Sequence, residues 1–212
     1  MWKRNSVCGR RAKIWSDNSF KILKFMNLGF QVDENICLTL PMPHDAPEIA
    51  RLVGENLEHL KIWMPWAKDD YSLESARVYI NDNFQQLTDG AGFANNILYQ
   101  AKICGQIGFH DLDSSNKSVK MGYWIRANLQ GRGIVTKCCR AFIDYGFDEL
   151  DLNRIQINCN VKNIRSRRIP ERLGFQLEGI HRQAEKLQDG FGDWAVYAML
   201  KEDWKNQSTI IS

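Results

Sequence analysis

The sequence predicts an α+β domain, a mixed α/β arrangement with a mostly antiparallel central sheet of about six to seven strands and about four flanking helices. Three observations lead there. Short runs with apolar residues at every second position alternate with longer runs whose apolar residues recur at helical spacing. Three consecutive strand runs between 94 and 125 are separated only by turns, which makes an antiparallel meander. The last of them is followed by a helix and another strand, and that order demands a right-handed crossover between parallel strands.

Length and composition fit one domain. A chain of 212 residues with 44% hydrophobic and 25% charged residues supports a single good-sized core and excludes a disordered or fibrous class. The net charge is +3, yet residues 1–25 carry Lys3, Arg4, Arg10, Arg11, Lys13, Lys21 and Lys24 against Asp17, a balance of +6, which leaves −3 for residues 26–212. The body therefore lacks the basic surplus of a nucleic-acid-binding domain, and residues 1–25 read as a solvated, poorly ordered leader. Met26 stands just before the first convincing element and is an expected alternative start; the single domain is expected over 26–206, with 207–212 as a tail. No run of about 18 apolar residues is present, so no membrane-spanning helix is expected. Cys8, Cys37, Cys104, Cys138, Cys139 and Cys159 have no CxxC spacing and sit mostly in apolar runs. They read as buried thiols of a reducing compartment, from which a cytoplasmic location follows. His44, His59, His110 and His181 lack metal-ligand spacing, and no metal is expected.

In chain order, a short strand from Asn35 ends at Pro41, and Asp45 with Glu48 three residues on has the pattern of a capping box for a helix reaching about Leu60. Pro65 in IWMPW must end or kink that helix; Trp63 and Trp66 are read as packing at its end, with a substrate entrance as the other role. A second helix runs from near Ser72 to Asp89, with Gly90 as its stop. Two short strands then occupy 94–111, their turn lying somewhere between 100 and 105. DSSNK at 113–117 is a polar turn into the strand bearing Val119, Met121, Tyr123 and Ile125 on one face. Val135, Cys138, Cys139, Phe142, Gly146 and Leu150 trace the apolar side of the next helix, and Ile155, Ile157 and Cys159 that of the strand after it. A short helix from about Asn163, bent by Pro170 and stopped by Gly174, precedes two closing strands at 175–183 and 193–200.

The stretch Tyr123 to Thr136 is the candidate ligand site. Gly131 and Gly133 allow the backbone to approach a ligand closely, and the helix that follows offers unpaired amides and a partial positive charge. Its place at the carboxyl end of a strand is where α/β folds bind ligands. The residues make a phosphate cradle, although a strand, a turn and a helix with two glycines also make an ordinary connection.

The loop QGRGIV at 130–135, with NIRSRRIPERLGF at 163–175 and GYWI at 122–125, closely resembles the GNAT superfamily of acetyl-CoA-dependent N-acetyltransferases. It is similar in particular to the Rim-type branch, which acetylates the N-termini of ribosomal proteins, over roughly Asn35 to Trp204. The resemblance implies the GNAT fold and acetyl-CoA as donor substrate. It implies cofactor contacts from Trp124, Ile125, Arg126, Gln130, Gly131, Arg132, Gly133, Ile134, Val135, Thr136, Asn163 and Ser166. The acceptor it implies is a primary amine, in the first place a protein N-terminus; homodimers also occur in the family. Rim-type enzymes have a serine near the cofactor sulfur and a glutamate near the incoming amine, which match Ser166 and Glu185. Glu185 is then the general base, acting directly or through water, and Ser166 the proton donor or orienter for the thiolate; solvated charge and first-turn helix capping are the structural roles these residues could have instead.

Several positions depart from the family pattern. Val135 stands where the loop has Gly or Ala, and Pro170 where many members have the tyrosine that protonates the thiolate. Lys120 and Met121 stand where some have a glutamate. Two other functions stay open on these residues: an acetyltransferase for a small amine such as a polyamine, amino sugar or antibiotic, and a CoA-binding regulatory module with little turnover.

Overall fold

A computed structural model describes residues 29–210 of the chain. The basic leader, Cys8 and Met26 lie outside the described residues. Eight strands form one sheet: β1 (Phe30–Gln31), β2 (Ile36–Thr39), β3 (Phe93–Tyr99), β4 (Lys102–Asp113), β5 (Ser118–Ile125), β6 (Arg154–Asn160), β7 (Gln176–Leu187) and β8 (Gly190–Leu200). Their order across the sheet is β1-β2-β3-β4-β5-β6-β8-β7, and β5-β6 is the parallel pair. Six helices accompany them: α1 (Ala46–Glu55), α2 (Leu57–Leu60), α3 (Leu73–Asp89), α4 (Ile134–Asp148), α5 (Ile164–Arg172) and α6 (Lys201–Ile210). The mixed, mostly antiparallel sheet expected from the sequence is present.

The sheet buries both faces. On one, Phe142 of α4 packs at 4.5 Å between ring centroids from Phe109 and at 5.5 Å from Phe93. Cys138, Cys139 and Ile143 are fully buried beside it among Ile97, Ile107, Val119 and Ile155. On the other face, Ile49, Leu52 and Val53 of α1 and Ala76 and Ile80 of α3 close over Ile103 and Trp124. The strands alternate because each face has its own helical layer to cover it.

Two elements go beyond the sequence reading. β1 is two residues long, too short to show a period, and is held by Phe30, whose ring stacks on Phe142 and Tyr145 at 6.2 and 5.9 Å. α6 crosses the expected boundary at 206. It docks through Trp204, whose indole N–H donates to Asp144 Oδ1 at 2.7 Å. The turn between β3 and β4 is Gln100–Ala101, both at positive φ (50° and 61°), a conformation usually given to Asn or Gly. Neither residue signals it, which is why the turn could be placed only within a range.

Helix ends follow the sequence with two corrections, the first being that the helix expected to reach about Leu60 is divided at Asn56 into α1 and α2. Ser72 caps α3 and Gly90, at φ 70°, ends it. Asp45 precedes α1 without capping it; its carboxylate accepts instead from Met42 N (2.9 Å) and Asn96 Nδ2 (3.1 Å). From Asn96 the polar chain continues to Gln106 (3.2 Å) and on to the Trp124 indole (3.1 Å), tying α1 to the far end of β5. Because Phe142 fills the centre of the larger core, Phe142→Ala should lower stability by about 3–5 kcal/mol, read as a fall in the urea midpoint at unchanged slope.

Candidate active site

β5 and β6 pair only over Ser118–Lys120 with Arg154–Gln156. Beyond that the strands part, since β5 stays paired with β4 as far as Ile125 and β6 with β8 as far as Asn160. The result is a wedge-shaped gap in the middle of the sheet. Arg126 N donates to Cys104 O at 2.8 Å, so with Ile125 opposite Gly105 the Ile125 pair exchanges no bonds with β4. Its N–H is therefore directed into the gap. Tyr123, two residues earlier, shares that orientation.

Two cavities meet at this gap. One, of about 760 Å3, is bounded by the 130–136 loop, the start of α4 and one face of α5. The other, of about 930 Å3, lies on the side of α3 and the β7–β8 hairpin and reaches Glu185 and Trp194. Trp63, Met64, Tyr123, Trp124, Asn163 and Ser166 belong to the walls of both. Their charges differ. The first is lined by Lys162, Arg165, Arg168 and Arg172 and by no carboxylate among the described residues. The second carries Asp70, Glu74, Asp82 and Glu185 against Lys68, with Trp63, Trp66, Tyr71 and Trp194 among its walls.

The loop has the form of an anion cradle. Gly131 and Gly133 sit at φ 76° and 75°, and a Cβ at either would meet no atom within 4 Å. Glycine is thus required by backbone conformation, and the space above it is open. No side chain caps the start of α4, leaving its first amides without intrahelical acceptors beside the first cavity. Gln130 is clamped at the mouth: its amide nitrogen lies 2.6 Å from His59 Nε2 and its Oε1 accepts from Arg165 at 2.7 Å. Burial, helped by Arg165, holds His59 below its usual pKa, so the ring is neutral at pH 7 and takes part in this clamp without adding charge.

Of the residues singled out in the sequence, Trp124, Ile125, Gln130, Gly131, Gly133, Ile134, Val135, Thr136, Asn163 and Ser166 all line the first cavity. Val135 is 8% exposed and packs into the core below the loop, which leaves its backbone free to face the cavity. Arg126 and Arg132 fall outside the wall; the Arg126 guanidinium turns to Glu55 at 3.7 Å, and Arg132 is exposed. Trp66 stands 5.9 Å from Trp124 and 6.0 Å from Tyr71, so it packs on β5 and on the segment before α3 and lines the second cavity.

Ser166 is not the cap of its helix. Asn163 is, accepting from Ser166 N at 3.1 Å, while the Ser166 hydroxyl lies 3.2 Å from Cys159 Sγ and 3.5 Å from Tyr123 Oη. Glu185 is not a free solvated charge either. Between the pairs His181–Trp194 and Glu185–Gly192, β7 has a surplus of two residues, stitched by Gln183 N to Asp193 Oδ1 at 2.8 Å. Pairing with Gly192, two residues from Trp194, sets Glu185 on the same face as Trp194, and Glu185 Oε2 accepts from the Trp194 indole at 3.0 Å.

Tyr123, although it opens the candidate stretch, was given no role of its own, and Trp194 and the arginine face of α5 were missed as site residues. The last had a signal, because Arg165, Arg168 and Arg172 are spaced three and four apart on one helical face.

Residues 35–176 match the model of the acetyltransferase (GNAT) domain. The chain belongs to the GNAT acetyltransferase family. It is 36% identical to the putative ribosomal N-acetyltransferase YdaF of Bacillus subtilis (strain 168), over 84% of this chain and 97% of that protein. It is 28% identical to the ribosomal-protein-serine acetyltransferase of Escherichia coli (strain K12), over 80% and 95%. Among solved structures, the microcin C7 self-immunity acetyltransferase MccE in complex with acetyl-CoA and AMP superposes with TM-score 0.79 at 29% identity, covering 84% of this chain and 99% of that one. RimL, a ribosomal L7/L12 α-N-protein acetyltransferase, in complex with coenzyme A gives TM-score 0.79 at 26% identity, covering 82% and 99%. Within the GNAT domain the glycine loop is a conformational requirement, and this separates two glycines. Gly133→Ala should cost about 1–2 kcal/mol. Gly54→Ala, inside α1 with nothing near its Cβ, should gain about 0.5–1 kcal/mol. Urea unfolding of both variants checks the contrast.

Proposed function

We propose that this GNAT domain transfers the acetyl group of acetyl-CoA to a primary amine, in the first place the N-terminal α-amine of a protein such as a ribosomal protein. The observation that carries the reading is the meeting of a cationic cavity and an acidic, aromatic one at Ser166 and Tyr123. Four cations and open helix amides suit a ligand bearing phosphates, and the names of the relatives support both donor and acceptor. Bound acetyl-CoA would supply an acyl group activated as its thioester.

The chain's own groups divide the remaining work. Carboxylates of the second cavity draw in the ammonium form of the acceptor, and Glu185, steadied by Trp194, takes its proton directly or through a water. An α-amine has a reference pKa near 7.8 and a lysine near 10.4, so freeing the lysine nitrogen at neutral pH costs about 3.5 kcal/mol more. One carboxylate therefore matches an α-amine better. The Ile125 amide, directed into the gap, is available to the carbonyl oxygen as negative charge builds on it. Ser166 offers its hydroxyl to the departing sulfur. A C–N bond forms and a C–S bond breaks; starting from the ammonium, nitrogen loses two protons, one passing through Glu185 to solvent and the other ending on the sulfur.

The acidic wall of the second cavity is the observation that favours another acceptor, a polyamine, whose second cation would find Asp70 or Asp82. Free-thiol release from acetyl-CoA with a panel of peptide N-termini and polyamines distinguishes the two. Turnover confined to peptides is expected; turnover confined to polyamines moves the acceptor, and acetyl-CoA binding with no release for any amine overturns the enzymatic reading. Glu185→Gln should lower kcat by about 100-fold or more, and Ser166→Ala by about tenfold, since a thiolate leaves readily. Wild-type rates in both variants would end the assignment.

A further inference from the structure

Pro170 interrupts the hydrogen bonding of α5 at one definite place. In an α-helix the N–H of each residue donates to the carbonyl four residues earlier, so the Ser166 carbonyl should receive the N–H of residue 170. Proline has none, and its ring crowds that carbonyl. On either side the helix is intact: Arg167 N donates to Asn163 O and Leu173 N to Ile169 O, both at 3.0 Å. The carbonyl left over belongs to the residue whose hydroxyl stands at the junction of the two cavities.

The donor that meets it comes from the sheet. Tyr123 lies on β5 three residues beyond the last pair with β6, where the gap lets a side chain reach across to α5. Its hydroxyl donates to Ser166 O at 3.1 Å. The phenol is deep enough that burial holds its pKa well above the usual tyrosine value, so it remains a donor throughout the working range of pH. All polar groups of Ser166 then have partners: its N–H on Asn163, its carbonyl on Tyr123, and its hydroxyl beside Cys159 and the same phenol.

We propose that Tyr123 is the positioning residue for Ser166: its phenol replaces the helix hydrogen bond that Pro170 removes, and thereby fixes where the Ser166 hydroxyl stands in the gap. Pro170 and Tyr123 are thus two halves of one device. The catalytic part of this inference rests on the reading of Ser166 given above, while the structural part does not. Tyr123 need not itself give up a proton, because the bond it makes is to a backbone carbonyl.

The test is a double-mutant cycle of Tyr123→Phe and Pro170→Ala, measured for urea stability and for kcat and acetyl-CoA KM. With Pro170 present, Tyr123→Phe should lower the unfolding midpoint and reduce kcat about tenfold, the scale of one lost hydrogen bond to a buried carbonyl, with KM for acetyl-CoA nearly unchanged. In the Pro170→Ala background the backbone N–H restored at position 170 takes over the carbonyl, and Tyr123→Phe should cost much less in both measurements, each compared with its own parent. Equal losses in stability in the two backgrounds overturn the inference. A loss in kcat that persists undiminished in Pro170→Ala also overturns it, because it marks Tyr123 as a direct proton donor. The reading of Ser166 fails separately, by full activity of Ser166→Ala, and leaves the stability cycle intact.

Discussion

Parallel pairing between β5 and β6 ends at Lys120 and Gln156, and every backbone group beyond that point on the facing edges must find another partner. The rest of the site is a set of answers to that demand. The α5 segment, capped by Asn163, lies beside the gap against β6, and the Tyr123 hydroxyl crosses to its Ser166 carbonyl. What remains open is the span between the Ile125 amide and the two cavities, where a ligand can meet protein amides on a rigid frame. Rigidity comes from outside the gap: β5 is bound to β4 along its length, and the Trp124 indole is anchored through Gln106 and Asn96 to Asp45.

The nine residues of α5 serve both sides of this frame. Arg165, Arg168 and Arg172 turn one face toward the cationic cavity. Arg167 turns the other way, donating to Tyr197 Oη at 2.9 Å, and Tyr197 in turn donates to Glu171 Oε1 at 2.7 Å. One ridge of the helix is thus neutralised against β8 while the other stays available. Segregating charge in this way costs little, since the cations lie on an open cavity where water screens their repulsion. It also gives the two cavities opposite preferences.

Much of this was legible in the sequence because the signals were local. Period-two runs gave the meander, Ser72 and Gly90 bounded α3, and the glycines at 131 and 133 marked the loop. What escaped depended on partners distant in the chain. Gln100 and Ala101 adopt positive φ because the β3–β4 pairing forces a tight reversal there. Asp45 has the position of a cap, yet Asn96, 51 residues away, claims its carboxylate. Ser166 looks like a helix-capping residue, and only the gap beside it explains why its hydroxyl turns to Cys159 and Tyr123. Pro170 read as a departure from the family pattern, whereas its consequence is visible only once Tyr123 is seen opposite the carbonyl it strands.

The two-residue surplus in β7 brings out a different property of the fold. Glu185 reaches the second cavity because it pairs with Gly192, which shares its facing with Trp194; its neighbours Ala184 and Lys186 belong to the opposite facing of the strand. Removing one residue from 182–184 would leave a surplus of one, the count of an ordinary bulge, and the Leu187–Gly190 end of the hairpin would keep Glu185 opposite Gly192. Exposed loop tips are where chains gain and lose residues most freely. The facing of this carboxylate is thus set from the hairpin turn rather than from the root of the strand, and a change of length at this edge leaves the glycine loop and its cavity, on the other side of the gap, as they are.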